Sequence, residues 1–161
     1  MKSNKFKTAG WFALSAILVI IDQLSKGWAS GVLKDLRSLP LIEGVVGLRY
    51  AENTGAAFSS FSGATYLLIA FSLAVCAAVA VHMLRHPEET ILMQQALALV
   101  LAGGVGNLID RIRCGYVVDF IELQFIDFAI FNAADIFITS GAVLLFIVLL
   151  LGGERNARMD R

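Results

Sequence analysis

Four apolar stretches, each long enough to cross a bilayer and each separated from the next by polar or glycine-rich sequence, constrain this chain more than any other feature. About 20 residues are needed to cross about 30 Å of hydrocarbon, and inside that layer only helices or closed barrels satisfy their own backbone groups. The stretches run from roughly Gly10 to Ser30, Ala64 to Leu84, Ile91 to Ile109 and Phe128 to Leu151. They predict a membrane all-α fold of four transmembrane helices, with residues 1–161 forming a single integral membrane domain. Composition agrees, since 58% hydrophobic against 16% charged residues makes lipid the main solvent. A net charge of zero leaves no basic field to attract nucleic acid, and none is expected as a partner.

Lys2, Lys5 and Lys7 ahead of the run from Trp11 to Ile21 imitate a secretory leader, but the run continues through Asp22-Gln23-Leu24-Ser25-Lys26 to Trp28 without a small-residue cleavage site. A retained first helix is therefore expected. From Val32 to Ser62 the pattern changes to short β-rich pieces, Leu41-Ile42 and Val45 to Tyr50, ending in the turn Asn53-Thr54-Gly55. Pro87 stops the second helix, and a strand-like run, Tyr116 to Leu123, lies between the last two spans. The polar tail from Gly152 to Arg161 is expected to fray. Cys76 and Cys114 show no paired framework and are expected to be free thiols.

Four spans place both termini on one side. Lys2, Lys5, Lys7, Arg85, Arg155, Arg158 and Arg161 crowd the short segments of that side, which favours a cytoplasmic assignment for it. Asp22, Asn53, Asn107, Arg111, Asp119 and Asp135 then converge at the opposite, outer boundary of the membrane.

Ionisable groups inside a membrane are expensive to insert, so each is a functional candidate. Asp22 has Lys26 four residues on, where the two meet on one helical face together with Ser15. Asp110, beside Arg111, reads as a cap at a helix exit. Asp119 is different, surrounded by Val117, Val118, Phe120 and Ile121 with no basic neighbour, and Asp135 is likewise flanked by Ala133, Ala134, Ile136 and Phe137. Two carboxyl groups face to face in such surroundings share one proton, which is the electronic basis of aspartic proteolysis. No HExxH or similar ligand set supports metal hydrolysis, and no GxSG elbow supports a serine nucleophile. A proton or cation path would need polar groups across the whole bilayer, which the nearly pure apolar second span does not supply. The glycines Gly103, Gly104 and Gly106 read as a close helix crossing that aims Asn107 and Arg111 at one site.

Five blocks occur in order: Asp22-Gln-Leu-Ser-Lys26, Asn53-Thr-Gly-Ala-Ala-Phe58, Gly103 to Arg111, Val117-Val-Asp-Phe120 and Phe131-Asn-Ala-Ala-Asp135. Together they resemble the bacterial lipoprotein signal peptidases, the type II signal peptidases, over nearly the whole stretch from Asp22 to Thr139. The resemblance implies an aspartyl endopeptidase of the bacterial inner membrane that cleaves diacylglyceryl-modified prolipoproteins before the lipidated cysteine. It implies Asp119 and Asp135 as the catalytic pair, and Asn53 and Arg111 at the substrate site. Asp22, Lys26, Asn107 and Asn132 would form a supporting polar shell. It also implies a small strand-rich extracytoplasmic cradle with a mobile loop over the outer mouth, and no metal or organic cofactor. The protein is expected to act as a monomer whose partners are its prolipoprotein substrates and membrane lipid.

Overall fold

The structure, a computed structural model, describes residues 2–36, 38–55 and 64–159. In chain order it contains α1 (Lys2–Val32), β1 (Leu39–Ile42), β2 (Val46–Asn53), α2 (Thr65–Arg85), α3 (Ile91–Cys114), β3 (Val117–Leu123) and α4 (Ala133–Met159). Among the described residues, four helices are long and apolar enough to cross a membrane. Helix α3 lies at the centre, packed against α1, α2 and α4, and its span is the one that is mostly buried. The exposed apolar faces of the other three are what a lipid-solvated bundle presents.

Glycine and alanine set the helix spacing. A side chain at Gly103 would run into the carbonyl of Ala134 and into Ile138 on α4, and one at Gly141 would meet the Ala96 carbonyl on α3. The α3–α4 contact is thus a backbone-to-backbone approach licensed from both helices, as small residues allow in membranes. Gly106 makes the matching concession to α1, where a Cβ would strike the Asp22 carboxylate.

Helix limits depart from the apolar pattern in four places, the first being α1, which begins at Lys2 rather than Gly10. Helix α3 does not stop at Ile109 but continues to Cys114, where Gly115 at φ +81° supplies the left-handed cap. The fourth span begins at Ala133 rather than Phe128, because Phe131 is held as a bridge to Ile121 of β3 before the helix can start. The tail expected to fray is helical as far as Met159.

The three strands form one antiparallel sheet in the order β1-β2-β3. Its turn between β1 and β2 needs Gly44 at φ +72°. Leu48, Val118 and Phe120 press one face of this sheet onto Ala29 and Leu33 at the end of α1. Ala56, Ala57 and Phe58 of the second sequence block lie outside the described residues, as does any loop over the mouth that falls on 56–63.

Candidate active site

Strand β3 is buried on both faces over Val117–Phe120, and alternation explains why this matters. Val118 and Phe120 face α1, so Val117 and Asp119 must face the other way, into a cavity. The β2–β3 register pairs Asn53 with Val117 and Ala51 with Asp119, which places Asn53 and Asp119 as diagonal neighbours on one face. Asn53 Nδ2 accordingly donates to Asp119 Oδ2 at 3.0 Å.

The bridge to Phe131 brings the start of α4 alongside β3. Ile121 N–H donates to the Phe131 carbonyl at 2.8 Å and Phe131 N–H to that of Ile121 at 3.1 Å, so Asn132 and Asp135 arrive beside Asp119. Asn132 Nδ2 donates to Asp119 Oδ1 at 2.6 Å, while the Asn132 backbone N–H donates to Asp135 Oδ2 at 3.1 Å. From α3, Asn107 Nδ2 donates to Asp135 Oδ1 at 2.8 Å. Burial pushes the Asp119 carboxyl up to about 6, and the neighbouring Asp135 charge adds to the effect, with the Asn132 and Asn53 amides and Lys26 pulling the other way.

Behind this pair lies a second buried cluster. Lys26 Nζ sits 2.9 Å from Asp22 Oδ2 and 3.0 Å from Asp110 Oδ2, and donates to Asn107 Oδ1 at 2.8 Å. Asp22 Oδ1 accepts from the Ala134 N–H of α4 at 3.0 Å, and Asp110 Oδ2 accepts from Val118 N–H of β3 at 3.2 Å. One ammonium therefore joins α1, α3, α4 and β3. The Asp22–Lys26 contact is the one that their spacing of four predicts, but Asp110 is not a cap paired with its neighbour Arg111. It is an interior residue of α3 whose cation comes from α1.

The cavity in front of the pair has a volume of about 940 Å³. Asn53, Asn107, Arg111, Asp119 and Asp135 make its polar end. Its other walls are apolar, with Leu67, Leu68 and Phe71 from α2 and Ile136 and Ile138 from α4. Leu67, Phe71 and Ile136 are also exposed on the outside of the bundle, so the cavity wall is continuous with the lipid-facing surface. Arg111 donates to the Gly55 carbonyl at 2.9 Å, and its buried Nε finds no acceptor among the described residues.

All eight sequence candidates gather at this end of the bundle: five line the cavity, and Asp22, Lys26 and Asn132 stand behind them. Two contributors escaped the sequence reading. Gln23 Nε2 reaches Asp110 Oδ1 at 2.9 Å and the Gly106 carbonyl at 3.2 Å, though its position next to Asp22 carries no periodic signal. Gly141 lies alone in an apolar run and marks the helix crossing only once its partner is known.

The chain is similar to known proteins over most of its length. The family model described as "Signal peptidase (SPase) II" matches residues 14–151. Lipoprotein signal peptidases of Streptococcus pyogenes serotypes M6 and M1 are each 42% identical over 139 residues, covering 86% of this chain and 91% of the relative. A solved bacterial membrane enzyme, determined in meso at 2.3 Å, superposes with a TM-score of 0.86 at 30% identity, covering 91% of each chain. A second, at 1.9 Å, gives 0.80 at 31% identity over 88% of this chain and 93% of that one. With its fold and these relatives in agreement, the chain belongs to the signal peptidase II family of membrane peptidases.

Proposed function

We propose that this peptidase removes the signal peptide from diacylglyceryl-modified prolipoproteins, cutting before the lipidated cysteine with Asp119 and Asp135 as its catalytic pair. The observation that carries the reading is the form of the cavity, with two amide-bound carboxyls at one end and lipid-exposed helix faces as its walls. A substrate must present an extended backbone to the polar end and hydrocarbon to the walls. A lipidated signal peptide does both.

In this mechanism the ionised member of the pair takes a proton from water as its oxygen attacks the scissile carbonyl carbon, and the protonated member donates a hydrogen bond to the carbonyl oxygen. A carboxyl then passes a proton to the amide nitrogen as the carbon–nitrogen bond breaks, freeing the lipidated amine end. Asn53 and Arg111 hold the substrate backbone beside the pair, and the planar guanidinium suits a carbonyl better than a lysine would. Water and two carboxyls complete this chemistry without a metal or organic cofactor. Every residue invoked comes from one chain, so a monomer suffices. The denser basic residues near the termini support a bacterial inner-membrane protein with cytoplasmic ends and a site near the periplasmic face.

The deciding experiment compares precursor peptides with diacylglyceryl-modified and bare cysteine in the same micelles. Each buried methylene adds about 0.8 kcal/mol of anchoring, so two acyl chains fix the scissile bond at the depth of the pair where a bare cysteine does not. The lipidated peptide is expected to be cleaved at least about 10²-fold faster, since misplacement of the reacting atoms by about 1 Å costs that much. Equal rates would return the chain to a general intramembrane peptidase. Acidity provides a separate check. The pair works with one proton bound, and Asp119, held up at about 6, keeps that proton below this value and releases it above. kcat/KM is therefore expected to fall as pH rises through about 6, and a flat profile to pH 8 would contradict the assignment.

A further inference from the structure

Asn132 touches both members of the pair, and nothing about its amide is free to turn. It is fully buried and stands immediately before Ala133, the first residue of α4. Its backbone carbonyl accepts the first helical hydrogen bond, from Ile136 N–H at 3.3 Å. Its side-chain Oδ1 accepts from Asp135 N–H at 3.0 Å, while Asp135 Oδ2 accepts from its backbone N–H at 3.1 Å. This is a reciprocal capping box, with Asn132 as N-cap and Asp135 as the third helical residue.

We propose that Asn132 is the positioning residue of the catalytic pair: the capping box locks the Asp135 rotamer and, by using the amide oxygen, commits the amide nitrogen to Asp119. The inference rests on the peptidase reading above. Turning the amide over would set its NH2 against Asp135 N–H and its oxygen against the Asp119 carboxylate, so the surrounding chemistry decides the orientation. Nδ2 then spends its hydrogens on Asp119 Oδ1 at 2.6 Å and Asn107 Oδ1 at 3.3 Å. Asn107 is committed in the same way, because its Oδ1 takes the Lys26 ammonium and its Nδ2 must therefore face Asp135. One planar amide fixes the spacing of the two carboxyls, and the start of a helix fixes that amide.

Capping and donation can be separated by substitution. Asn132→Ser keeps a hydroxyl acceptor for Asp135 N–H but is too short to donate to Asp119, whereas Asn132→Ala loses both functions. The serine variant is expected to melt close to the wild type and the alanine variant lower. Both are expected to lose about 10²-fold in kcat with KM little changed, as misplacement of reacting groups predicts. The Asp119 titration, followed by carbon-13 in aspartate-labelled protein, should move upward from about 6 in both variants, because a donor that favours the carboxylate is gone. The other charged groups facing Asp119 remain in place, namely Asp135 from α4, Arg111 from α3 and Lys26 from α1. A serine variant with wild-type kcat and an unmoved titration would reduce Asn132 to a helix cap, and one that melts as low as the alanine variant would remove the capping half. The titration needs no turnover, so failure of this inference is distinguishable from failure of the peptidase reading, which would show as no cleavage of lipidated substrate by the wild type.

Discussion

Asp119→Asn and Asp135→Asn are each expected to abolish cleavage while leaving the protein inserted and folded. Each carboxylate accepts two hydrogen bonds, Asp119 from Asn53 and Asn132, Asp135 from Asn107 and the Asn132 backbone. An asparagine keeps the shape but offers one acceptor where there were two, so each variant gives up about one hydrogen bond, worth roughly 1 kcal/mol. That is a small fraction of a stability of about 5–15 kcal/mol. Turnover is affected far more, because an amide neither takes the proton from water nor returns one to the leaving nitrogen. A loss of about 10⁴-fold or more is expected for either variant, the upper range for removing general acid–base chemistry. The measurement is single-turnover cleavage of a lipidated peptide by purified protein, paired with a thermal melt in the same detergent. Near-normal turnover in either folded variant would remove that residue from the pair.

Lys26→Ala should fail differently, losing stability and activity together. All three hydrogens of the ammonium are engaged, by Asp22, Asp110 and Asn107, and the lysine is almost wholly buried. Its removal leaves two buried carboxylates without their cation. Breaking a buried ion pair from one side costs about 3–5 kcal/mol, and here one cation serves two anions. Activity should fall with stability, because Asn107 loses the charge that orients its amide toward Asp135. A melting temperature lowered by many degrees is expected, with cleavage reduced even at temperatures where the variant remains folded. Lys26→Ala protein with wild-type melting and full activity would show the cluster to be an incidental contact.

The four spans were legible in the sequence because hydrocarbon imposes a length and a composition that no tertiary contact has to supply. Asp22 and Lys26 were legible too, since a spacing of four puts two side chains together on any helix. Asp119 and Asp135 stood out by their apolar neighbours, and the ordered family motifs pointed to the same residues. The polar connections between elements were not legible. Asp110 reads as the partner of adjacent Arg111, yet neighbouring helix residues point apart, and the close crossing permitted by Gly106 brings Lys26 to it from α1 instead. The true start of α4 was hidden for a similar reason. An apolar count begins that helix at Phe128, whereas pairing of Phe131 with Ile121 delays it to Ala133 and turns Asn132 from a residue within the span into the cap. The sequence by itself determined that charge would be buried in a four-helix membrane bundle, because hydropathy and short periodic spacings are local properties. Only the tertiary structure decided which amide faces which carboxyl, because those directions follow from strand register and from helix approach distances set by residues far apart in the chain.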